Sequence, residues 1–152
     1  MNAFTNPRLT WRDEFLVGHG EMDSTHREFV DCVDALLCAP DGQQGTALDA
    51  FADHVKRHFN EEDSAMRDSN YGSAGCHTDE HAAVLKSLEE VRCALAQGRH
   101  DVVRDFALAL ADWFPRHAEV MDLGLARWLN QRRLGGSPVL IQKQKRPVTQ
   151  AA

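Results

Sequence analysis

At 152 residues the chain has the size of one domain and is long enough to bury a substantial core. Seventeen lysines and arginines against 23 acidic residues give a formal charge of −6 and a pI of about 5.7, which argues against a nucleic-acid partner. No run approaches the roughly 20 apolar residues that span a bilayer, and the start Met1-Asn2-Ala3-Phe4-Thr5 lacks the basic and apolar regions of a secretion signal. A cytoplasmic protein with no membrane partner is the expectation.

Residues 1–21 read as an N-terminal arm whose Trp11, Phe15 and Leu16 are apolar enough to lie packed across the rest of the fold. From the capping pattern Thr25-x-x-Glu28 onward, His26, Phe29, Val30, Val33, Leu36 and Leu37 recur at the three-and-four spacing of one helical face. Ala39-Pro40-Asp41-Gly42 ends that helix. A second, capped by Thr46 with Asp49 three residues on, aligns Leu48, Phe51, Ala52, Val55, His58, Phe59, Glu62 and Met66. The stretch from Asp68 to Gly75 reads as a loop. A third helix turns His77, His81, Val84, Leu85, Leu88 and Leu95 inward and closes at Gln97-Gly98. The fourth starts near Asp101, faces inward with Val103, Phe106, Leu110, Trp113, Phe114 and His117, and runs to Leu134. Gly135-Gly136 and Pro138 stop it, and residues 135–152, with Lys143, Lys145 and Arg146, read as a flexible basic tail. Four helices with short connections predict an all-α, up-down-up-down antiparallel four-helix bundle over residues 22–134.

The inward faces carry polar groups that apolar packing does not explain. His58 and Glu62 are four apart, as are His77 and His81, so each pair projects from one side of its helix. His26 and His117 add one histidine from each remaining helix, and Asp122 follows His117 by five. Left without partners, these groups would each cost about 1 to 3 kcal/mol, a total comparable to a whole net stability of about 5 to 15 kcal/mol. Five imidazoles and two carboxylates are too many for one tetrahedral zinc but suit two borderline divalent ions sharing carboxylates, which makes two irons the natural count. Four positive charges are then reduced to a net +1 by the carboxylates and one bridging hydroxide, which makes burial tolerable.

In order and spacing, His26, His58-x-x-x-Glu62, His77-x-x-x-His81 and His117-x-x-x-x-Asp122 resemble the hemerythrin signature. The surroundings resemble its bacterial members: Trp11, Val17-Gly18-His19, Asp23-x-x-His26, His58-Phe59 before Glu61-Glu62, Met66, Tyr71, and Trp113 four before His117. The resemblance implies a di-iron centre with an oxo or hydroxo bridge. His77, His81 and His117 would saturate one iron, His26 and His58 would hold an iron with one open position, and Glu62 and Asp122 would bridge. It further implies reversible carriage, storage or delivery of dioxygen, bound as a hydroperoxide at the open iron, rather than enzymatic turnover. Phe29, Phe59, Trp113 and Phe114 are the candidates to line the oxygen pocket.

Two features depart from the usual pattern. Pro115 removes an amide donor within the fourth helix, and the five-residue step from His117 to Asp122 lies off one straight face, so a bend near Pro115 is expected to bring both ligands inward. Ala118 stands where a bulkier aliphatic residue is common. His19, His54 and His100 match no ligand position; His54, one turn before His58, could support that residue, but a surface place is the stronger expectation.

His77-Thr78-Asp79-Glu80-His81 also fits the His-x-x-Glu-His pattern of inverted zinc peptidases, but that reading leaves five inward polar residues unexplained and treats Glu80, otherwise an exposed helix residue, as catalytic. The Glu-x-x-His pairs of ferritin-like di-iron proteins are absent. Within the same fold, the alternatives to carriage are a sensor acting through a partner, delivery of oxygen to a protein partner, and a di-iron enzyme reducing peroxide or nitric oxide.

Overall fold

The computed structural model describes residues 7–133, so the tail from residue 134 onward lies outside the described residues. The long helices are α1 (Gly20–Cys38), α2 (Gln44–Asp68), α3 (Ala74–Ala96) and α4 (Asp101–His117). A five-residue π turn, Ala118–Asp122, joins α4 without a break to α5 (Leu123–Arg133), and the three together make the fourth limb of the bundle. Short 3-10 turns lie at Asp13–Phe15 and Asp41–Gln43. No strand occurs among the described residues. α1 lies against α2 and α4, and α3 against the same two, the ring of neighbours of an up-down-up-down bundle.

Two helices end in the same way. At the end of α2, Asn70 takes the left-handed conformation at φ 54°, Tyr71 N–H donates to Met66 O at 2.9 Å and Asn70 N–H donates to Arg67 O. Gly98 does this for α3 at φ 84°, with Arg99 N–H donating to Ala94 O and Gly98 N–H to Leu95 O. Each pair of bonds satisfies carbonyls that the last helical turn leaves open.

The start of α1 differs from expectation. The helix begins five residues before Thr25, because the His19 ring accepts from Met22 N–H at 3.3 Å and serves as the cap. Asp23 accepts from Val17 N–H and Gly18 N–H, with Gly18 at φ 78°, which fixes the arm to the first turn. Thr25 is already helical and donates to Glu21 O. Likewise α2 begins at Gln44, which puts Thr46 inside its first turn instead of at its cap.

The arm packs as expected, but through a different set of residues. Leu9, Phe15 and Val17 are buried and Trp11 is partly buried, whereas Leu16 is exposed. Arg8 donates twice to the Asp34 carboxylate, which also accepts from Leu9 N–H, so the arm is tied to the C-terminal part of α1. Leu85 and Leu95 are only partly buried, at the edge of the core.

The apolar interior falls into two parts. The larger includes Phe29, Val33, Phe51, Val55, Leu88, Phe106, Leu110 and Phe114. The smaller, at the end of the bundle where the arm meets α5, holds Val17, Met22, Met66, Leu125 and Ala126. Along every limb of the bundle, the chain passes from one part to the other through histidines and carboxylates.

Candidate metal centre

His26, His58, Glu62, His77, His81, His117 and Asp122 are all buried, and they form a polar layer between the two apolar clusters. The helical spacing read from the sequence puts the α2 and α3 pairs there directly. The fourth limb needs a different device. In a straight α-helix a five-residue step turns through about 140° beyond a full turn, which would send Asp122 away from His117. The π turn widens the helix across those residues, and Nε2 of His117 comes within 3.2 Å of Asp122 Oδ1. The π turn, which begins three residues after Pro115, thus aligns the two side chains.

Every one of the five histidines turns its Nε2 atom to a carboxylate. Glu62 Oε1 lies 2.8 Å from His58 and 3.3 Å from His26, and Glu62 Oε2 lies 3.2 Å from His81 and 3.3 Å from His77. Asp122 Oδ2 lies 3.1 Å from His26, and Asp122 Oδ1 lies 2.9 Å from His77 and 3.2 Å from His117. Glu62 thus presents one oxygen to His26 and His58 and the other to His77 and His81, and Asp122 presents one to His26 and the other to His77 and His117.

Glu62 Oε1 is hydrogen-bonded to His26 and His58, but the other contacts leave their groups unsatisfied. Nε2 of His77, His81 and His117, Glu62 Oε2 and both Asp122 oxygens are buried without a hydrogen-bond partner. Buried polar atoms are ordinarily paired, and nitrogens and oxygens that converge with several of them left unpaired are suited to a cation between them. Two overlapping groups of donor atoms could each hold an ion: Glu62 with His77, His81, His117 and Asp122, and Glu62 with His26 and His58. The mix of imidazole nitrogen and carboxylate oxygen suits a borderline transition metal.

The electrostatics agree. Burial pushes the His26 ring toward neutrality, but Asp122 and Glu62 outweigh it and raise its pKa to about 10. His77 is raised to about 9 by the same balance. Burial would raise both carboxylates, yet the surrounding histidines hold Glu62 and Asp122 well below their ordinary values. Metal-free, the centre keeps protons on His26 and His77 where a cation could replace them.

Aromatic rings brace the layer. Phe59 stacks on His81 and Trp113 stacks on His117, with centroids 3.9 and 4.2 Å apart. Phe29 and Phe114, stacked on each other, stand edge-on to His58 and His26 respectively. Of the four residues expected around an oxygen pocket, Phe29 and Phe114 border the His26 and His58 pair, Phe59 touches both groups, and Trp113 belongs to the trio. A cavity of about 100 Å³ reaches His58 and Glu62 from the bundle end, between Met22, Thr25, Ala65, Leu125 and Leu129. No sequence pattern marked it, since its walls come from three helices.

Three further residues stand differently from their sequence reading. Glu80 is half-buried and its carboxylate accepts from the His117 ring at 3.1 Å, so it is not a free surface residue. Asp63, unremarked in the sequence, holds the His81 ring at 2.7 Å in the same manner. His54 is buried, with its ring 5.2 Å from that of His58 and its Nδ1 3.4 Å from Glu28. His19 serves as the α1 cap, and His100 pairs with the buried Gln44, so neither enters the centre. All four cysteines are free, and Cys38, Cys76 and Cys93 are exposed. No helix among the described residues is long and apolar enough to cross a membrane.

A helical bundle with histidines and carboxylates converging in its core defines the class, a buried cation-binding four-helix protein. The model of the hemerythrin HHE cation-binding domain matches residues 17–129, and the chain belongs to the hemerythrin family. It is 33% identical over 126 residues to a bacteriohemerythrin of Ralstonia nicotianae, covering 83% of this chain and 92% of that one. It is 28% identical over 119 residues to the bacteriohemerythrin of Methylococcus capsulatus, covering 75% and 91% of the two chains. Similarity extends to a myohemerythrin of Sipunculus nudus, 24% identical over 112 residues, covering 74% and 86%.

Proposed function

We propose that this chain binds two iron ions in the polar layer and carries or stores dioxygen reversibly. The observation that carries this reading is the division of the histidines, with the two oxygens of each carboxylate facing opposite groups. On that reading Glu62 and Asp122 would be shared by the two ions, His77, His81 and His117 would hold one, and His26 and His58 would hold the other with one imidazole fewer. When bound, a ferrous pair supplies the two electrons that dioxygen takes up on binding and returns on release.

The remaining residues set the conditions for reversal. Phe29 and Phe114 form an apolar wall against His58 and His26 that excludes water, and water exclusion slows proton loss and irreversible oxidation. Phe59 and Trp113 hold the imidazoles of His81 and His117 in place. The cavity beside His58 and Glu62 would give a small molecule access to the side with fewer histidines. The similarity to proteins named bacteriohemerythrin and myohemerythrin supports the same role.

The test is optical. The chain is loaded anaerobically with ferrous iron, mixed with air and then degassed. A visible band that appears with air and disappears on degassing supports carriage, and metal analysis should return two irons per chain. Irreversible bleaching with turnover of added peroxide would make the protein a redox enzyme instead.

A further inference from the structure

We propose that Asp63 and Glu80, which lie outside the set of metal-facing atoms, make the three-histidine side of the centre the tighter of two metal positions and the first to fill. The proposal rests on the reading of the centre as a two-ion site. Asp63 follows Glu62 on α2, and its Oδ1 reaches across to Nδ1 of His81 on α3 at 2.7 Å. Glu80 precedes His81 on α3, and its Oε1 reaches Nδ1 of His117 on α4 at 3.1 Å. In each case Nδ1–H donates to a carboxylate, which fixes the tautomer that leaves Nε2 free to ligate and makes that nitrogen more electron-rich.

The other side has no such support. Nδ1 of His26 and of His58 is buried without a hydrogen-bond partner. His54, the neighbouring ring, contacts His58 through its edge and not through a hydrogen bond. The two sides therefore differ twice over. One brings three imidazoles, two of them braced by carboxylates on adjoining helices, and the other brings two unbraced imidazoles. Both differences act in the same direction, toward tighter binding beside His81 and His117. Asp63 and Glu80 act as positioning residues, since neither joins the converging donor atoms.

The experiment titrates the metal-free full chain with Co(II), following visible absorption together with equilibrium dialysis. The wild type should bind two ions in two separable steps. Asp63→Asn and Glu80→Gln keep the shape of each side chain and should each weaken the first step about 10- to 100-fold, the usual consequence of losing such a partner. The second step should move far less. His58→Ala should abolish the second step and leave the first in place. Imidazole N–H resonances of His81 and His117 should be the first to shift in the paramagnetic spectrum, and both variants should melt like the wild type when metal-free. Equal weakening of both steps, unchanged affinity in both variants, or two ions bound to the wild type in one indivisible step would overturn the proposal alone. Failure of the wild type to take up two ions would overturn the reading of the centre and this proposal with it.

Discussion

Phe59 lies flat on His81, with ring centroids 3.9 Å apart and planes 5° from parallel. A fully buried phenyl ring thus sets the plane of a metal-facing imidazole while also packing in the larger apolar cluster. Truncation at this site, Phe59→Ala, should lower the stability of the metal-free protein by about 3 to 5 kcal/mol, the range for large-to-small core changes. Urea unfolding measures this, and a loss under about 1 kcal/mol would show that the stack carries little packing.

Removing the metal should destabilise the protein strongly, because Glu62 and Asp122 are then balanced by protons on His26 and His77 instead of by metal ions. The melting temperature of the chelated protein should fall well below that of the iron-loaded form. Equal melting temperatures would argue against a metal centre in the core. Glu62→Gln removes a group that faces four of the five histidines and should reduce bound iron below two per chain by metal analysis.

Stability of the metal-free form should fall with rising pH. His26 and His77 have folded pKa values of about 10 and 9, above the ordinary 6.5. A group with a raised pKa contributes stability that is fully present below its unfolded value and lost as pH climbs through the folded one. The melting temperature of the chelated protein should therefore decline between pH about 6.5 and about 10, while the loaded protein, whose metal takes the place of those protons, stays level. Parallel curves for the two forms would contradict this account.

His54 has the opposite sign. Burial first, then the charges of His58, Arg57 and His26, lower its pKa to about 4. Its contribution is present above pH 6.5 and lost as pH falls toward 4, because the unfolded chain takes the proton first. His54→Phe should shrink the loss of stability between pH 7 and pH 5 relative to the parent, as read by urea unfolding at both values. An identical loss would mean that another group controls the acid limb.

The sequence made the bundle and the converging residues legible because both follow from local spacing. His58 with Glu62, and His77 with His81, share a helical face by arithmetic alone, and the apolar stripes beside them say which face is buried. What escaped depends on side chains from separate helices or on a local break in helical period. Asp63 reaches a ring 18 positions away, Glu80 one 37 positions away, and a carboxylate on a helix surface carries no mark of such a partner. His54 read more readily as a surface residue than as a support for His58, yet Glu28 and Phe29 of α1 lie against it and it is buried. Thr25 looked like a cap by pattern, but Gly18 and His19 turn the chain earlier. Proline drew attention to the fourth helix, whereas the π turn beyond it aligns His117 with Asp122.

The polar layer also bears on cooperativity. It separates the small end cluster around Val17, Met22, Met66, Leu125 and Ala126 from the main core, so few apolar contacts cross between them. Five buried residues make a small core, and without metal that end should open as a unit while the rest stays folded. Ions held by all four limbs of the bundle would join the two halves. Backbone amides near Met66 and Leu125 should then exchange with solvent through partial opening in the chelated protein, and only through global unfolding once metal is bound.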